Sequence, residues 1–314
     1  MLKGLDIFAG GGGSSYGARK AGIEMVGAID MCDIATATYA ENFPETHVVT
    51  AKLESIRLNR LRDQIGDIDI LLASPECTNH TCAKGSAPRS EKSRATAMQV
   101  LRFARYFKPR WVVMENVIHM RPWSRYQELK YCLGEIGYRV SEQILDASDF
   151  GVAQKRRRLF VIGDRNDEPP TIKPRQKKPR VAADILDRTG IWKTTPLFRK
   201  DRAQATLERA GRGFRSLGKN SIFLLVYYGS DGSGGWQRID RPLRTITTID
   251  RFALIEPTED GPTMRMLQVS ELKRAMGFGT DYKMNIGTRR DKIRLLGNGV
   301  CPPVAATLIR ALTP

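Results

Sequence analysis

The chain has 314 residues, of which 41% are hydrophobic and 27% charged, and its net charge is +17. No apolar run approaches the ~20 residues that span a bilayer, which argues against a membrane protein. The excess of 51 Lys and Arg over 34 Asp and Glu is more typical of a polyanion-binding protein than of an ordinary solvated surface, and it predicts a nucleic-acid partner.

Five cysteines, scattered and odd in number, favour free thiols in a reducing cytoplasm over a disulfide framework. The N-terminus leads directly into a predicted strand and a glycine loop, so we expect no signal peptide.

The first half of the sequence alternates short apolar runs with helical patterns. Helix-length segments between strands are typical of βαβ crossovers and predict an α/β fold with a doubly wound, mostly parallel sheet. The last two strands follow a predicted helix at "SRYQELKYCLGEIG" and are expected to form an antiparallel edge pair. The predicted strands are "GLDIF", "EMVGAID", "HVVT", "IDILLA", "WVVMENV", "YRVSEQILDA" and "RRRLFVIGD".

The second half has a different texture, which begins with the basic, proline-rich linker "RNDEPPTIKPRQKKPR". Glycine-rich turns ("GRGFRS", "GSDGSGGW") separate β-like pieces ("SIFLLVYY", "LRTITTI"), and the helical "SELKRAMGFG" follows. We predict a smaller β-rich domain over 169–285. The tail "IRLLGNGVCPPVAATLIRAL" is interpreted as strand, turn and helix that return to the first domain, which would comprise 1–168 and 286–314.

The stretch "LDIFAGGGGSSYGARKAG" is a strand, a glycine loop and a helix start, an arrangement that lets a ligand approach the backbone closely. It is not the dinucleotide fingerprint, because Ser15 or Tyr16 stands where the last glycine is required. Asp30 ends the next strand, where an acid can bind ribose hydroxyls. A nucleoside-containing cofactor and a purely structural glycine turn both fit this pattern.

In "ASPECTNHT", Cys77 follows an apolar strand at the carboxyl edge of the predicted sheet, where open α/β folds keep their sites. By itself it could be a reactive thiol or a buried structural cysteine. A zinc site with His80 and Cys82 is disfavoured because no second ligand pair completes it, and no metal is expected.

Two more groups of polar residues stand at strand ends. Glu115, with Asn116, follows four apolar residues, so it must be paired, protonated or functional. In "QKRRRLF", Gln154, Arg156 and Arg158 alternate and should share one face of a strand, although a solvated basic cluster is the simpler alternative.

The motifs in this order resemble those of the C5-cytosine DNA methyltransferase family. The resemblance covers nearly the whole chain except roughly 75 residues, where that family keeps a variable target-recognition domain. It implies a fold that binds S-adenosylmethionine and a second domain that selects the DNA site. The matching segments are "DIFAGGGG", "SPEC", "ENV", "QKRRR", "RPLRTITT" and "LLGNGVCPPVA".

The resemblance also implies roles for individual residues. Cys77 would add to C6 of cytosine so that C5 accepts a methyl group, and Glu115 would supply a proton at N3. Arg156 and Arg158 would anchor a base that has been flipped out of the duplex, and the segment "TNHTCAKGSAPRSEKS" would be the mobile loop over it. The implied cofactor-binding residues are Phe8, Gly10, Gly12, Asp30, Met31 and Asn298.

The sequence departs from the family pattern at three places. Glu76 and Thr78 flank the cysteine where the family has proline and glutamine, and Lys52 stands where it commonly has an acid. In the last motif, Gly299 and Cys301 replace a small polar residue and a proline. One hypothesis is that Glu76 and Lys52 compensate each other as an ion pair.

The sequence therefore predicts a cytoplasmic, monomeric cytosine-C5 methyltransferase that acts on a short sequence in double-stranded DNA with S-adenosylmethionine. The same reaction on transfer RNA, and a non-catalytic nucleic-acid-binding protein on this scaffold, are the alternatives. Neither the recognised sequence nor a cognate restriction nuclease can be inferred from the residues.

Overall fold

The computed structural model describes residues 1–76, 90–174, 179–187, 189–228 and 234–313. A seven-stranded sheet has the order β3-β2-β1-β4-β5-β7-β6. The first five strands in sequence are parallel, and β7 is antiparallel to both β5 and β6, so the predicted doubly wound sheet with an antiparallel edge pair is confirmed. The strands are β1 Lys3–Ile7, β2 Glu24–Asp30, β3 His47–Thr50, β4 Ile70–Ala73, β5 Trp111–Asn116, β6 Arg139–Asp146 and β7 Arg157–Asp164.

Helices cover both faces of this sheet, which is why its central strands are almost continuously apolar. Successive residues of β4 face opposite sides: Leu72 joins the apolar cluster under one set of helices, and Leu71 joins the cluster under the other. The helices of the first cluster are α1 Gly13–Lys20 and α2 Asp33–Asn42; those of the second are α3 Leu58–Ile65, α5 Gln99–Phe107 and α6 Tyr126–Glu135, and the short α4 Glu91–Ala95 precedes α5.

Helix α5 shows how the sequence sets these elements. Val100, Phe103, Ala104 and Phe107 recur at helical spacing and are buried against the sheet. The helix ends at Lys108, which has a φ of 50° and precedes a proline that could not continue the helix. Strand β5 then begins three residues later, at Trp111, and enters the sheet between β4 and β7.

A second, antiparallel sheet confirms the smaller β-rich unit. Its order is β10-β9-β11-β12-β8, with strands β8 Thr195–Pro196, β9 Phe223–Val226, β10 Trp236–Arg238, β11 Phe252–Glu256 and β12 Thr263–Met266. The predicted turn "GRGFRS" is wrong, because these residues lie inside helix α7, Gln204–Leu217. A Cβ on Gly213 would lie 2.3 Å from the Phe223 ring, so this glycine lets the helix approach β9 closely.

The predicted strand "LRTITTI" is also wrong. Its only ladder contact is an isolated bridge from Leu243 to Gln154, within the part of the chain that the structure describes. Leu243 exchanges backbone hydrogen bonds of 2.8 Å with the segment that leads into β7. Residues 243–248 therefore join the two sheets instead of extending the second one.

The C-terminal region contains three helices, which are separated by the non-helical segments 276–288 and 299–301. Helix α8, Val269–Ala275, confirms the predicted helix at "SELKRAMGFG". The predicted strand "IRLLGN" is instead the end of α9, Arg289–Asn298, and Pro302 starts α10, Pro302–Leu312, because proline is favoured in the first helical turn.

Helix α10 packs on α1, as predicted for a tail that returns to the first domain. A Cβ on Gly17 would lie 2.6 Å from the Ala305 side chain, which shows how close the two helices are. The segment Arg289–Leu312 has the length and composition of a membrane span, but it consists of these two helices and 61% of its apolar window is buried within the protein.

Candidate active site

The carboxyl ends of β1, β2, β4 and β5 meet at one edge of the first sheet, where polar residues follow each strand. After β1 comes the glycine loop, after β2 Met31, after β4 the segment 74–76, and β5 ends in Glu115 and Asn116. The topology therefore collects most of the predicted site residues at one edge.

The glycine loop has the backbone of a ligand cradle. Phe8, Gly10 and Gly12 have φ angles of 57°, 52° and 81°, a region that is unusual for a residue with a bulky side chain such as Phe8. A Cβ on Gly10 would meet no atom within 4 Å, so space for a ligand opens beside this residue.

Asp30 ties this loop to the end of β2. Its carboxylate accepts hydrogen bonds of 2.9 Å from the backbone N–H of Gly10 and of Cys32. Each oxygen keeps a lone pair for a further donor, as a ribose hydroxyl would require. The neighbouring Met31 side chain is 68% exposed and flanks the same space. These residues fit a nucleoside-containing cofactor.

A buried carboxyl behind the loop was missed by the sequence analysis. Asp6 accepts a hydrogen bond of 2.6 Å from the Ser15 hydroxyl, which in turn accepts one of 2.7 Å from Tyr39. Burial raises the pKa of Asp6 to about 7, against the opposing effect of the Ser15 hydrogen bond. The available signal was an acid in the middle of the apolar strand "GLDIF".

Cys77, His80 and Cys82 lie outside the described residues, as do Thr78 and most of the predicted mobile loop. The three residues before Cys77 are each held by a different element. The Ser74 N–H donates to the Ile7 carbonyl at 3.3 Å, and the Pro75 carbonyl accepts from the Asn116 amide at 3.1 Å. Glu76 accepts a hydrogen bond from the Ser93 hydroxyl in α4.

The hypothesis of an ion pair between Glu76 and Lys52 is wrong. Glu76 bonds to Ser93 instead, and the Lys52 side chain is exposed, with no ion pair between Lys52 and Glu76. The strand order gives the reason: β3, which precedes Lys52, lies three positions from β4, or about 14 Å at the usual strand spacing. That separation exceeds the reach of the two side chains.

Glu115 is buried and forms an ion pair with Arg158, whose Nε lies 3.0 Å from Oε1. Burial raises the pKa of Glu115 above its usual range, although the cations of Arg158 and Arg156 oppose the shift. The carboxyl can therefore hold a proton closer to neutral pH than an exposed glutamate would.

The start of α1, the segment before Cys77 and Glu115 converge on one small cavity. Ser14, at the start of α1, and Ser74 place their hydroxyls 3.4 Å apart at this cavity, and Glu115, Phe160 and Val300 also line it. A second cavity on the other side of Glu115 is lined by Arg156, Arg158 and Cys301. Burial raises the pKa of the Cys301 thiol to about 11, which keeps it neutral.

Two of the three arginines of "QKRRR", Arg156 and Arg158, line the cavity beside Glu115 but have different partners. Arg158 faces Glu115, whereas the Arg156 guanidinium donates to the carbonyls of Ile246, Gly297 and Gly299 at 3.0, 2.7 and 2.9 Å. The buried Gln154 also binds the backbone N–H of Ile246, at 2.8 Å. The structure thus brings Glu115 and Arg158 together and directs Arg156 to the backbone.

Asn298, the remaining predicted cofactor residue, is exposed at the end of α9, between the two glycines whose carbonyls Arg156 binds. Within the described ranges there is no group of three His, Cys, Asp or Glu residues that could hold a metal.

Comparison with known proteins places this site in a family. The profile of C-5 cytosine-specific DNA methylases matches residues 2–313, so the chain belongs to that family. The predicted DNA cytosine-5 methyltransferase is confirmed at this level, and family membership implies a methyl donor and a DNA substrate.

Two relatives show how far the similarity extends. The chain is 27% identical over 323 residues to the type II methyltransferase M.HgiDI of Herpetosiphon aurantiacus, covering 99% of this chain and 94% of that protein. It is 33% identical over 172 residues to M.DdeI of Desulfomicrobium norvegicum, covering 52% of this chain and 41% of that protein.

Solved structures share the fold at low sequence identity. A putative DNA modification methyltransferase of an Escherichia coli prophage superposes with a TM-score of 0.72 at 17% identity, covering 99% of this chain and 98% of its own. A DNMT2 of Spodoptera frugiperda gives 0.72 at 17% identity over both entire chains. The predicted methyltransferase fold is thereby confirmed.

Proposed function

We propose that this chain methylates C5 of a cytosine flipped out of double-stranded DNA, with Cys77 as the nucleophile and S-adenosylmethionine as the methyl donor. The buried pair of Glu115 and Arg158 carries the proposal, because it lies beside the anchored segment that leads directly to Cys77. The family match favours DNA over RNA as the substrate.

The proposed cofactor residues are Phe8, Gly10, Gly12, Asp30, Met31 and Asn298. S-adenosylmethionine supplies an electrophilic methyl group on a sulfonium. Asp30 would bind the ribose hydroxyls with the lone pairs that its bonds to Gly10 and Cys32 leave available. The left-handed backbone at Gly10 would let the methionine part lie against the loop.

The chemistry at the base would begin with the Cys77 thiolate, which forms a bond to C6. Electron density then moves through the ring, and Glu115 supplies a proton at N3, so C5 becomes nucleophilic enough to take the methyl group. Loss of the C5 proton to solvent, return of the N3 proton to Glu115 and departure of Cys77 as the thiolate then restore the aromatic ring. The raised pKa of Glu115 suits it to hold the proton before the attack.

Arg158 would orient Glu115 and contribute positive charge that favours the Cys77 thiolate. Its Nε is engaged by the carboxylate, and the rest of the guanidinium could reach the base. Since a cytosine inside a duplex is inaccessible to Cys77, the base must leave the helix before this contact forms.

The smaller unit, 169–285, is proposed as the target-recognition domain. Its five-stranded sheet is separate from the cofactor edge, so it can vary with the recognised sequence without altering the catalytic residues. A monomeric state, a cytoplasmic location and a cognate restriction nuclease stay predictions.

Bisulfite sequencing of host DNA tests the proposal and identifies the site. Cells that express the wild-type chain should contain cytosines protected within one short sequence, and cells that express Cys77→Ser should not. Absence of protected cytosines despite soluble protein, or equal protection by Cys77→Ser, would refute it.

A further inference from the structure

Arg156 holds three backbone carbonyls from two separate segments. Ile246 belongs to the segment 243–248 that joins the two sheets, and Gly297 and Gly299 stand at the end of α9. The side chain is almost fully buried, with 2% of the residue exposed. Hydrogen bonds from a charged guanidinium are shorter and stronger than neutral ones, so these contacts fix both segments relative to β7.

The same region is tightly packed on its other sides. A Cβ on Gly297 would lie 2.3 Å from the Thr247 carbonyl oxygen, and a Cβ on Gly13 would lie 2.3 Å from the Val300 carbonyl oxygen. The segment 297–300 therefore packs against 243–248 on one side and against Gly13, at the end of the glycine loop, on the other. Because the packing leaves no free space, a movement of 243–248 or of the glycine loop must also move 297–300.

Asn298 lies between the two glycines that Arg156 binds, its side chain is exposed, and it is one of the proposed cofactor residues. We propose that Arg156 is a positioning residue: it places Asn298 for the cofactor and couples cofactor binding to the second domain through 243–248. This inference rests on the proposed function and gives Arg156 a different task from that of Arg158.

Calorimetric titration with S-adenosylhomocysteine, without DNA, tests the first part. Arg156 reaches the Ile246 carbonyl with one guanidinium nitrogen and the two glycine carbonyls with the other, and the single ammonium nitrogen of lysine cannot occupy both positions. Arg156→Lys should therefore weaken binding about ten-fold, the size expected when a buried charged hydrogen bond is lost. Arg157→Lys is the matched control, because the Arg157 side chain is exposed and should leave the affinity unchanged. Circular dichroism selects a temperature at which every variant is folded.

Gly297→Ala provides a second variant that leaves Arg156 intact. The added methyl group must displace the Thr247 backbone, so this variant should also weaken S-adenosylhomocysteine binding. Arg158→Lys should retain the affinity and lose covalent trapping of 5-fluorocytosine DNA, which separates the two arginines.

The coupling is measured with a duplex that carries the site found by bisulfite sequencing. S-adenosylhomocysteine should raise the DNA affinity of the wild type by about five-fold or more, and this factor should fall towards one in Arg156→Lys. A folded Arg156→Lys with wild-type cofactor affinity and wild-type coupling would overturn the inference alone. A wild-type chain that does not bind S-adenosylhomocysteine would overturn the proposed function as well.

Discussion

The Glu115 carboxylate and the Arg158 guanidinium lie 3.0 Å apart across two antiparallel strands, and both side chains are largely shielded from water. Glu115 pairs in the β5–β7 ladder with Phe160, and Asn116 pairs with Leu159, so the register of these strands sets the ion pair. Because burial raises the pKa of Glu115 against the opposing charges of Arg158 and Arg156, this acid can hold a proton at a higher pH than an exposed glutamate would.

Glu115→Gln should lower turnover about 10²-fold or more, because the amide cannot supply a proton. It should also flatten the dependence of stability on pH. The folded-state pKa of Glu115 is raised, so its contribution to wild-type stability is fully present below the unfolded pKa and is lost as pH rises through the folded value. The unfolding free energy of the variant, measured in urea, should therefore increase relative to that of the wild type as pH rises from about 4.3, the usual pKa of glutamate, towards neutral. A constant difference across that range would contradict the shift.

Asp6→Asn tests the buried carboxyl behind the glycine loop. Because burial raises the Asp6 pKa from 3.8 to about 7, the wild type should lose stability as pH rises between these values, and the variant should not. The Asn side-chain oxygen can still accept the Ser15 hydrogen bond. In urea unfolding at a series of pH values, the free energy of unfolding of the variant should increase relative to that of the wild type up to neutral pH. Above neutral pH the difference between the two should be constant. Parallel profiles would mean that Asp6 titrates normally.

Duplex DNA with 5-fluorocytosine at the recognised site should form a covalent complex with the protein, because fluorine cannot leave C5 as a proton does. The band should be visible on a denaturing gel only when the methyl donor is present. Cys77→Ser should abolish it, and Cys82→Ser, a matched thiol five residues away in the sequence, should retain it. A complex that survives Cys77→Ser would assign the nucleophile elsewhere.

The hydrogen bond between Ser93 and Glu76 should help to position the residue that follows Glu76, the proposed nucleophile. Glu76→Ala and Ser93→Ala should each slow 5-fluorocytosine trapping several-fold, and the double variant should be no slower than either single one. Glu76→Gln keeps an acceptor for the hydroxyl and should restore most of the rate. Additive effects in this double-mutant cycle would show that the contact is not used.

DNA binding should weaken steeply with salt, since a chain with a net charge of +17 releases counterions when it neutralises phosphates. Exchanging 169–285 for the corresponding segment of a relative, with 243–248 kept because Arg156 and Gly297 contact it, should change which sequence is methylated and leave methyl transfer itself intact. Salt-independent affinity from fluorescence anisotropy would rule out the electrostatic part of this prediction.

The sequence predicted the first sheet well because most of its strands are short apolar runs bounded by turn residues; β6, RVSEQILD, is the more polar exception at the edge. It failed at α7, where Gly211 and Gly213 are typical of a turn but lie within a helix, and Gly213 allows that helix to approach Phe223 in the sheet. It also failed at "IRLLGN", where a short apolar run does not distinguish a strand from the end of a helix.

The sequence indicated which residues belong to the candidate site, but it did not indicate which of them contact each other. Alternation in "QKRRR" indicates which side chains share a face, but it cannot show that Arg156 turns to backbone carbonyls while Arg158 meets Glu115. The separation of Lys52 and Glu76 depends on strand order, which local sequence does not encode. Tertiary connectivity decides such pairings.

The contact between α1 and α10 has a consequence for how the protein is made. Arg310 donates a hydrogen bond to the Lys20 carbonyl, a residue 290 positions earlier in the sequence. The ribosome therefore synthesises α1 long before α10, the helix that packs on it. Until α10 has been made, the surface of α1 that it covers is exposed to water. Contacts between residues so distant in sequence form slowly, and the apolar surface that stays exposed in the incomplete chain is of the kind that chaperones bind.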